Sequence, residues 1–228
     1  MGIEGNLKQI SPYLLEKLIK YPDFITVFDY AIWLPESNYW QNYQNMDVPP
    51  DALDMFGEIA NAAIEVLQDL EKNKPEDYER IKADIPLILE EGKTAGLELD
   101  KAWHIVSFLL TGYQQMGILP FLISDNSEDN LPSVNAVQCG TETECEATYG
   151  FYRYLTPDEV KQVSKALSNL SEANIKKRFE RGFRKKLDIY SIGRTENEFN
   201  FVLNYCARVV NYYKDAAQKG NGMLIWLS

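Results

Sequence analysis

The sequence is poor in the side chains that most often carry metal or nucleophilic chemistry. It contains one histidine, His104, and three cysteines, Cys139, Cys145 and Cys206. Zinc sites use three or four protein ligands, and the spacing of these residues fits no such pattern. The sequence also lacks a phosphate-binding loop, a dinucleotide fingerprint and a Gly-x-Ser-x-Gly nucleophile elbow. We therefore predict no metal and no cofactor, and the odd number of cysteines indicates reduced thiols in a cytoplasmic protein.

Basic residues are too few for a nucleic-acid-binding protein. Lys and Arg total 23 against 34 Asp and Glu, which gives a net charge of −11. Because affinity for phosphate backbones depends on Lys and Arg, this balance argues against nucleic acid as a partner. Long apolar runs are missing as well, since none approaches the roughly 20 residues that span a bilayer, and the first residues do not resemble a signal peptide. We expect a soluble protein that binds neither nucleic acid nor membrane.

The charge that is present is unevenly distributed. Residues 47–100 hold 15 acidic and 5 basic residues, a net charge of −10. Residues 176–186, KKRFERGFRKK, hold 7 basic residues and 1 acidic residue, a net charge of +6. We expect these two runs to neutralise each other in part, within a monomer or across a homodimer. Charge reversal of Lys176, Lys177 and Arg178 should then lower stability at low salt, with a smaller loss at high salt.

Hydrophobic periodicity and capping signals predict an α+β fold. Apolar strands are predicted close to both chain ends, at residues 3–10 and 223–227. Between them lie amphipathic helices, one of which opens with the capping box of Thr156 and Glu159. We predict one compact domain over residues 1–228, with a small sheet that uses both chain ends. Residues 47–95 are predicted to form an acidic helical insertion within it.

Several blocks of sequence, in order along the chain, resemble one bacterial family. They are MGIEGNLKQIS at residues 1–11, LDKAWHIVSFLLTG at 99–112, YGFYRYLTPDEV at 149–160, LDIYSIG at 187–193 and GMLIWLS at 222–228. Together they resemble the YfbM-like family, a domain of unknown function. The resemblance implies a soluble α+β domain and brings no established activity, substrate or catalytic residue. Residues 35–95 show no recognised counterpart, which favours the insertion.

His104 lies on a segment typical of a buried helix. Asp100, His104, Ser107 and Thr111 would share one polar stripe of that helix. A lone histidine can act as a general base with Asp100 to orient it, but Asp100 is also a good N-cap. We expect a structural role, with the ring partly buried and hydrogen-bonded to Asp100 or to a tyrosine of residues 149–155.

A Cys–His dyad would need a thiol beside this histidine. Cys206 falls on the apolar face of a predicted helix and is expected to be a small core residue. Cys139 and Cys145 lie in residues 137–150, VQCGTETECEATYG, for which the sequence predicts a loop with accessible thiols.

Arg153 stands within the tyrosine-rich strand predicted at residues 149–155. An arginine among aromatic side chains can hold an anionic or planar ligand. The other interpretation is a salt bridge to Asp188 or Glu159, with the tyrosines packed around it. The candidate pocket takes the polar and aromatic residues at the ends of predicted elements, which are His104, Asn135, Tyr149, Arg153, Tyr154, Asp188 and Tyr190.

Two classes of function remain open from the sequence. The leading hypothesis is a protein-binding module without catalytic chemistry, for example an immunity-type or antitoxin-like inhibitor of a basic effector, because the acidic run would attract a basic protein partner. The alternative is a small-molecule-binding domain or an enzyme. That alternative requires His104, Tyr149, Arg153 and Asp188 to converge on one cleft.

Overall fold

The computed structural model describes residues 2–37, 39, 59–114, 120–123, 129–185, 189 and 196–228. Its strands are β1 (Gly5–Ile10), β2 (Leu97–Glu98), β3 (Leu122–Ile123), β4 (Ser133–Val134), β5 (Thr141–Glu146), β6 (Tyr149–Leu155) and β7 (Gly222–Leu227). Its helices are α1 (Pro12–Lys20), α2 (Phe24–Tyr30), α3 (Ala62–Asn73), α4 (Pro75–Ile81), α5 (Ile85–Gly92), α6 (Trp103–Thr111), α7 (Pro157–Leu167), α8 (Glu172–Lys185) and α9 (Glu196–Lys219).

A five-stranded antiparallel sheet joins the two ends of the chain. Its strand order is β2-β1-β7-β6-β5, and β3 and β4 form a separate two-stranded sheet. The pairing of β1 with β7 runs from Gly5 opposite Leu227 to Ile10 opposite Gly222. The backbones of Glu4 and Ser228 extend this pairing with hydrogen bonds of 2.7 and 2.9 Å. The predicted α+β fold, with a sheet built from both chain ends, is confirmed.

The chain folds into two compact units, Met1–Pro12 with Gly96–Ser228 and Tyr13–Ala95. The first unit contains the five-stranded sheet and helices α6 to α9. In its core, Leu7, Leu155 and Ile225 of the sheet belong to the same buried cluster as Val106 of α6 and Val209 of α9. Helix α6 is buried along its whole length. His104, Ser107 and Thr111 of its predicted polar stripe therefore lie inside the protein and not on an outer face, whereas Asp100 precedes the helix and is exposed.

The termini of two helices follow directly from local sequence. Thr156 caps α7, because its Oγ1 accepts from the Glu159 amide at 3.3 Å while the Glu159 carboxylate accepts from the Thr156 amide at 2.7 Å. Both halves of the predicted capping box are thus present. Helix α6 ends at Gly112, whose φ of +81° lies in the left-handed region that glycine adopts without steric cost.

The second unit is helical in its described part and carries many short-range ion pairs. Lys82 and Lys93 pair with Glu79 and Glu90 at 2.8 and 2.7 Å, three residues away along the chain. Arg80 lies 3.5 Å from both Glu76 and Asp77. Such exposed pairs stabilise the fold only slightly.

Helices α3, α4 and α5 fall within residues 47–95. The assignment of these residues as an acidic insertion stays a prediction, and residues 47–58 of the segment lie outside the described part of the chain.

The basic run of α8 contains a fully buried arginine. Arg178 is 0% exposed, and its Nε donates to the Asp129 carboxylate at 2.9 Å. Its Nη1 donates to the carbonyls of Leu109 and Leu110 at 3.0 and 2.9 Å, at the C-terminal end of α6. Arg181 also approaches Asp129, at 3.4 Å. The carboxylate partner of both arginines is therefore outside the acidic run, and matching of the two charged runs stays a prediction.

In the described part of the chain, none of the helices combines the length and the apolar character that a membrane crossing requires.

Candidate functional site

A cavity of about 140 Å³ opens beside strands β6 and β7. Tyr149, Phe151 and Arg153 of β6 contribute to it, because alternate residues of a strand project to the same side. Ile225 of β7 lines the neighbouring wall, and Trp103 of α6 completes it. Pairing of β6 with β7 shifts register between Tyr149 and Arg153. Such irregular pairing is common beside binding sites, where it redirects side chains.

Trp103 is held rigidly at the cavity. Its Nε1 donates to the carbonyl of Ile3 at 2.9 Å, and only 1% of the residue is exposed. Gly5 permits this position, because a Cβ atom there would lie 2.4 Å from the Trp103 Cβ. Another neighbour of the indole is His104, whose ring stacks at a centroid distance of 5.2 Å and an angle of 24°. The cavity wall at Trp103 is therefore fixed by backbone geometry as well as by packing.

Arg153 forms the polar part of the cavity wall. Its Nη1 donates to the carbonyl of Gln138 at 3.0 Å, and its Nη2 donates to Glu142 Oε1 at 2.9 Å. The partner is Glu142 because this residue lies directly opposite Arg153 in the pairing of β5 with β6. Of the two carboxylates suggested for a salt bridge, Glu159 is not the partner, since Arg153 pairs with Glu142 and the Glu159 carboxylate caps α7. Asp188, the other expected partner, lies outside the described residues.

His104 does not line the cavity, although its ring stacks on Trp103, which does. The residue is 2% exposed, and its Nε2 lies 3.0 Å from the carbonyl oxygen of Gln114. A carbonyl only accepts hydrogen bonds, so Nε2 carries the proton in this contact. The predicted burial agrees with this position, but the ring nitrogen contacts a backbone carbonyl that the sequence did not indicate. Asp100 accepts from the Tyr205 hydroxyl, and it is not the N-cap of α6, which is Ala102 after a short 3-10 turn.

The remaining predicted site residues are divided between the core and undescribed segments. Asn135 is fully buried, and its Oδ1 accepts from the Gln138 amide at 2.9 Å, which holds the loop that contacts Arg153. Tyr154 is half-buried on β6 and does not line the cavity. Tyr190, like Asp188, lies outside the described residues. Of the predicted pocket, the structure brings Tyr149 and Arg153 together at the cavity.

The three thiols are buried and poorly suited to nucleophilic chemistry. Burial raises the pKa of Cys139 to about 12 and that of Cys206 to about 12. Cys145 is also buried, so the expectation of accessible thiols in residues 137–150 is wrong. The segment contains strand β5, and both of its cysteines are withdrawn from solvent where the chain packs against the core. A thiolate mechanism therefore has no support from these residues.

Of the ten described residues that line the cavity, sequence reasoning identified Tyr149 and Arg153 and missed eight, among them Trp103, Phe151 and Ile225. The signal for Phe151 was available, because strict alternation in YGFYRYL places it between Tyr149 and Arg153 on one face. The others come from distant segments that only the tertiary fold brings together. Within the described residues, no group of three or more His, Cys, Asp or Glu side chains could hold a metal ion.

Comparison with known proteins places this fold in a family without an established activity. The family model described as a domain of unknown function (DUF1877) matches residues 1–226. The crystal structure of YfbM from Escherichia coli, a protein of unknown function, is 14% identical, with a TM-score of 0.50 over 99% of each chain. This likeness concerns the fold alone. None of the curated proteins matches the chain significantly. The sequence resemblance to YfbM-like proteins is confirmed, and the chain belongs to the DUF1877 family.

Proposed function

We propose that this protein is a non-catalytic binding domain and that its binding site is the cavity beside β6. The observation that carries the proposal is a volume of about 140 Å³ enclosed mainly by apolar and aromatic side chains. An apolar cavity of about 150 Å³ holds one benzene molecule, so the expected occupant is a single ring or a side chain of similar size. A complete cofactor or metabolite would need about 300 Å³ or more.

The chemistry of the described residues supports binding more than catalysis. The guanidinium of Arg153 is engaged by Gln138 and Glu142. His104 is buried, does not line the cavity and contacts a backbone carbonyl. A general base must reach the proton that it removes, and the buried His104 does not line the cavity. The guanidinium of Arg153 stays protonated and accepts no proton.

The inhibitor hypothesis is a second candidate, and it rests on the net charge of −10 in residues 47–100. Several described acids of this segment already pair with neighbouring basic residues, including Glu79 and Glu90, which leaves fewer carboxylates to make direct contacts with a basic effector. A toxin-like reading frame beside this gene would supply the partner for a direct binding assay. Nanomolar binding that blocks the partner's activity would favour this candidate.

Titration with benzene tests the proposed site. Methyl resonances of Ile3, Ile225 and Leu227, which line the cavity, should shift on addition of benzene, with a dissociation constant in the millimolar range. Phe151→Ala should weaken binding about tenfold, because the substitution removes one wall of the cavity. Phe201→Ala is the matched control, since Phe201 is 44% exposed against 39% for Phe151 and does not line the cavity.

Unchanged affinity in Phe151→Ala, or shifts confined to residues elsewhere in the protein, would contradict the proposal. Both substitutions replace exposed side chains, so loss of the fold should not obscure the result.

A further inference from the structure

The side chains around the cavity indicate what kind of molecule carries the ring. Tyr149 and Phe151 line the cavity and are nevertheless 45% and 39% exposed. A ring-sized ligand would fill the cavity and leave the outer parts of both aromatic side chains in water. Adjacent exposed aromatic side chains are typical of surfaces that bind a larger partner. The occupant is thus expected to extend beyond the cavity along strand β6.

The acidic residues beside the cavity indicate that this partner is positively charged. The hairpin of β5 and β6, residues 141–155, contains Glu142, Glu144 and Glu146 against one basic residue, Arg153. Glu142 neutralises Arg153 at 2.9 Å, which leaves the other two carboxylates. Glu144 and Glu146 are exposed, and none of the described basic side chains forms an ion pair with either. Glu146 also lies opposite Phe151 in the strand pairing, close to the cavity wall.

We propose that the cavity binds one apolar or aromatic side chain of an extended, basic polypeptide segment, whose Lys or Arg residues contact Glu144 and Glu146. This inference rests on the proposed function and names the partner of the same site. The net acidic hairpin repels an acidic peptide. A free ring compound would gain nothing from the two carboxylates. The irregular pairing of β5, between Glu142 and Glu146, is unfavourable for addition of a further strand, so side chains supply the main contacts.

Three short peptides, acetylated and amidated at their ends, separate the elements of this proposal. They are Lys-Lys-Phe-Lys-Lys, Glu-Glu-Phe-Glu-Glu and Lys-Lys-Gly-Lys-Lys. In a calorimetric or NMR titration, the first should bind at least about tenfold more tightly than either of the others. Its affinity should fall between about 50 and about 300 mM salt, because the carboxylates are exposed.

Substitution of individual glutamates tests which carboxylates contribute to binding of the basic peptide. The double substitution Glu144→Gln with Glu146→Gln should weaken binding of Lys-Lys-Phe-Lys-Lys about fivefold or more at low salt. Glu172→Gln, an exposed glutamate on α8, should change the affinity less than about twofold. Benzene binding should be the same in all of these variants, because none of the substituted residues lines the cavity.

The outcomes distinguish the two proposals. Benzene binding at the cavity without preference for the basic phenylalanine peptide would overturn this inference and leave the proposed function intact. If neither benzene nor the basic phenylalanine peptide bound at the cavity, both this inference and the proposed function would be overturned. Equal binding of the phenylalanine and glycine peptides would show that charge alone acts, which contradicts an anchor in the cavity. Equal weakening by Glu172→Gln would contradict the assignment to Glu144 and Glu146.

Discussion

Arg178 illustrates how a residue in a charged run can be part of the core. Besides Asp129 and the last turn of α6, its Nη2 donates to the Pro132 carbonyl at 2.8 Å and to Ser133 Oγ at 2.9 Å. These last two acceptors lie 46 and 45 residues away along the chain. A local sequence pattern therefore could not distinguish this arginine from the exposed lysines that precede it. The fold uses it to connect α8, α6 and the segment before β4.

Arg178→Leu is expected to lower the free energy of unfolding by about 3–5 kcal/mol, because it removes the buried donor that Asp129 shares with several backbone carbonyls. The loss should persist at high salt, since buried pairs are screened weakly. Lys177→Leu, an exposed neighbour, should change stability by less than about 0.5 kcal/mol. Urea unfolding of both variants and the parent protein at low and high salt measures these differences in stability. A loss at Arg178 that disappears in high salt would support the surface-charge interpretation drawn from the sequence.

Asp84 is expected to make the stability of the second unit depend on pH. The pKa of Asp84 is lowered from its ordinary value, first because the Tyr13 hydroxyl donates to it at 2.6 Å and then because Lys17 lies 2.9 Å away. The folded state therefore binds this proton less readily than the unfolded state. Its stabilisation is present above the ordinary pKa of aspartate, about 3.9, and is lost as the pH falls through the lowered value.

Asp84→Asn should accordingly reduce the loss of stability between about pH 6 and about pH 3. Tyr13→Phe, which removes the first donor, should reduce it by a smaller amount. Thermal unfolding across this pH range measures both effects. Parallel stability curves for the parent protein and Asp84→Asn would show that the carboxylate does not contribute.

At the scale of elements, the α7 capping box is the most local structural determinant in the chain. Thr156→Ala should destabilise the protein by about 1 kcal/mol, because the Glu159 amide loses its acceptor. Ser168→Ala, at the other end of the same helix, removes a hydroxyl bond to the Lys165 carbonyl and should cost less than about 0.5 kcal/mol. Chemical denaturation of the two variants tests the difference. Equal losses of stability in the two variants would show that the capping box contributes no more than an ordinary surface hydrogen bond.

Elements with a local signal could be predicted from the sequence, and elements defined by long-range pairing could not. The capping box of α7, the glycine stop of α6 and both terminal strands follow from neighbouring residues. Strand β5, TETECE, has no apolar alternation, so its sequence alone predicts a loop. It becomes a strand through its pairing with β6. The burial of His104 was predictable from the apolar residues around it, whereas its contact with Gln114 required the path of the chain after α6.

At the scale of the molecule, the α+β fold and the family could be predicted because short blocks of sequence are spread over the whole chain. The cavity could not, since Ile3, Trp103 and Ile225 reach it from separate segments. The likeness to YfbM at 14% identity shows that the fold tolerates extensive change of sequence. The fold alone does not identify the function, which must be tested with experiments on the residues of the cavity.

The organisation of the chain itself can be tested by limited proteolysis. We expect a protease of broad specificity to cut first in residues 38–50 or 91–97, because the latter segment contains the boundary between the two compact units after Ala95. Strand β7 should be protected, since it lies between β1 and β6 in the sheet. Mass spectrometry identifies the first fragments. Early cleavage within residues 223–227, with both segments intact, would contradict the predicted insertion.

The most direct test of the binding role is a crystal structure of the protein with Lys-Lys-Phe-Lys-Lys. We expect the phenyl ring in the cavity, within about 4 Å of Phe151 and Ile225, and the lysine side chains close to Glu144 and Glu146. A peptide bound elsewhere, or a cavity filled by Tyr149 and Phe151 while the peptide occupies another surface, would contradict the account.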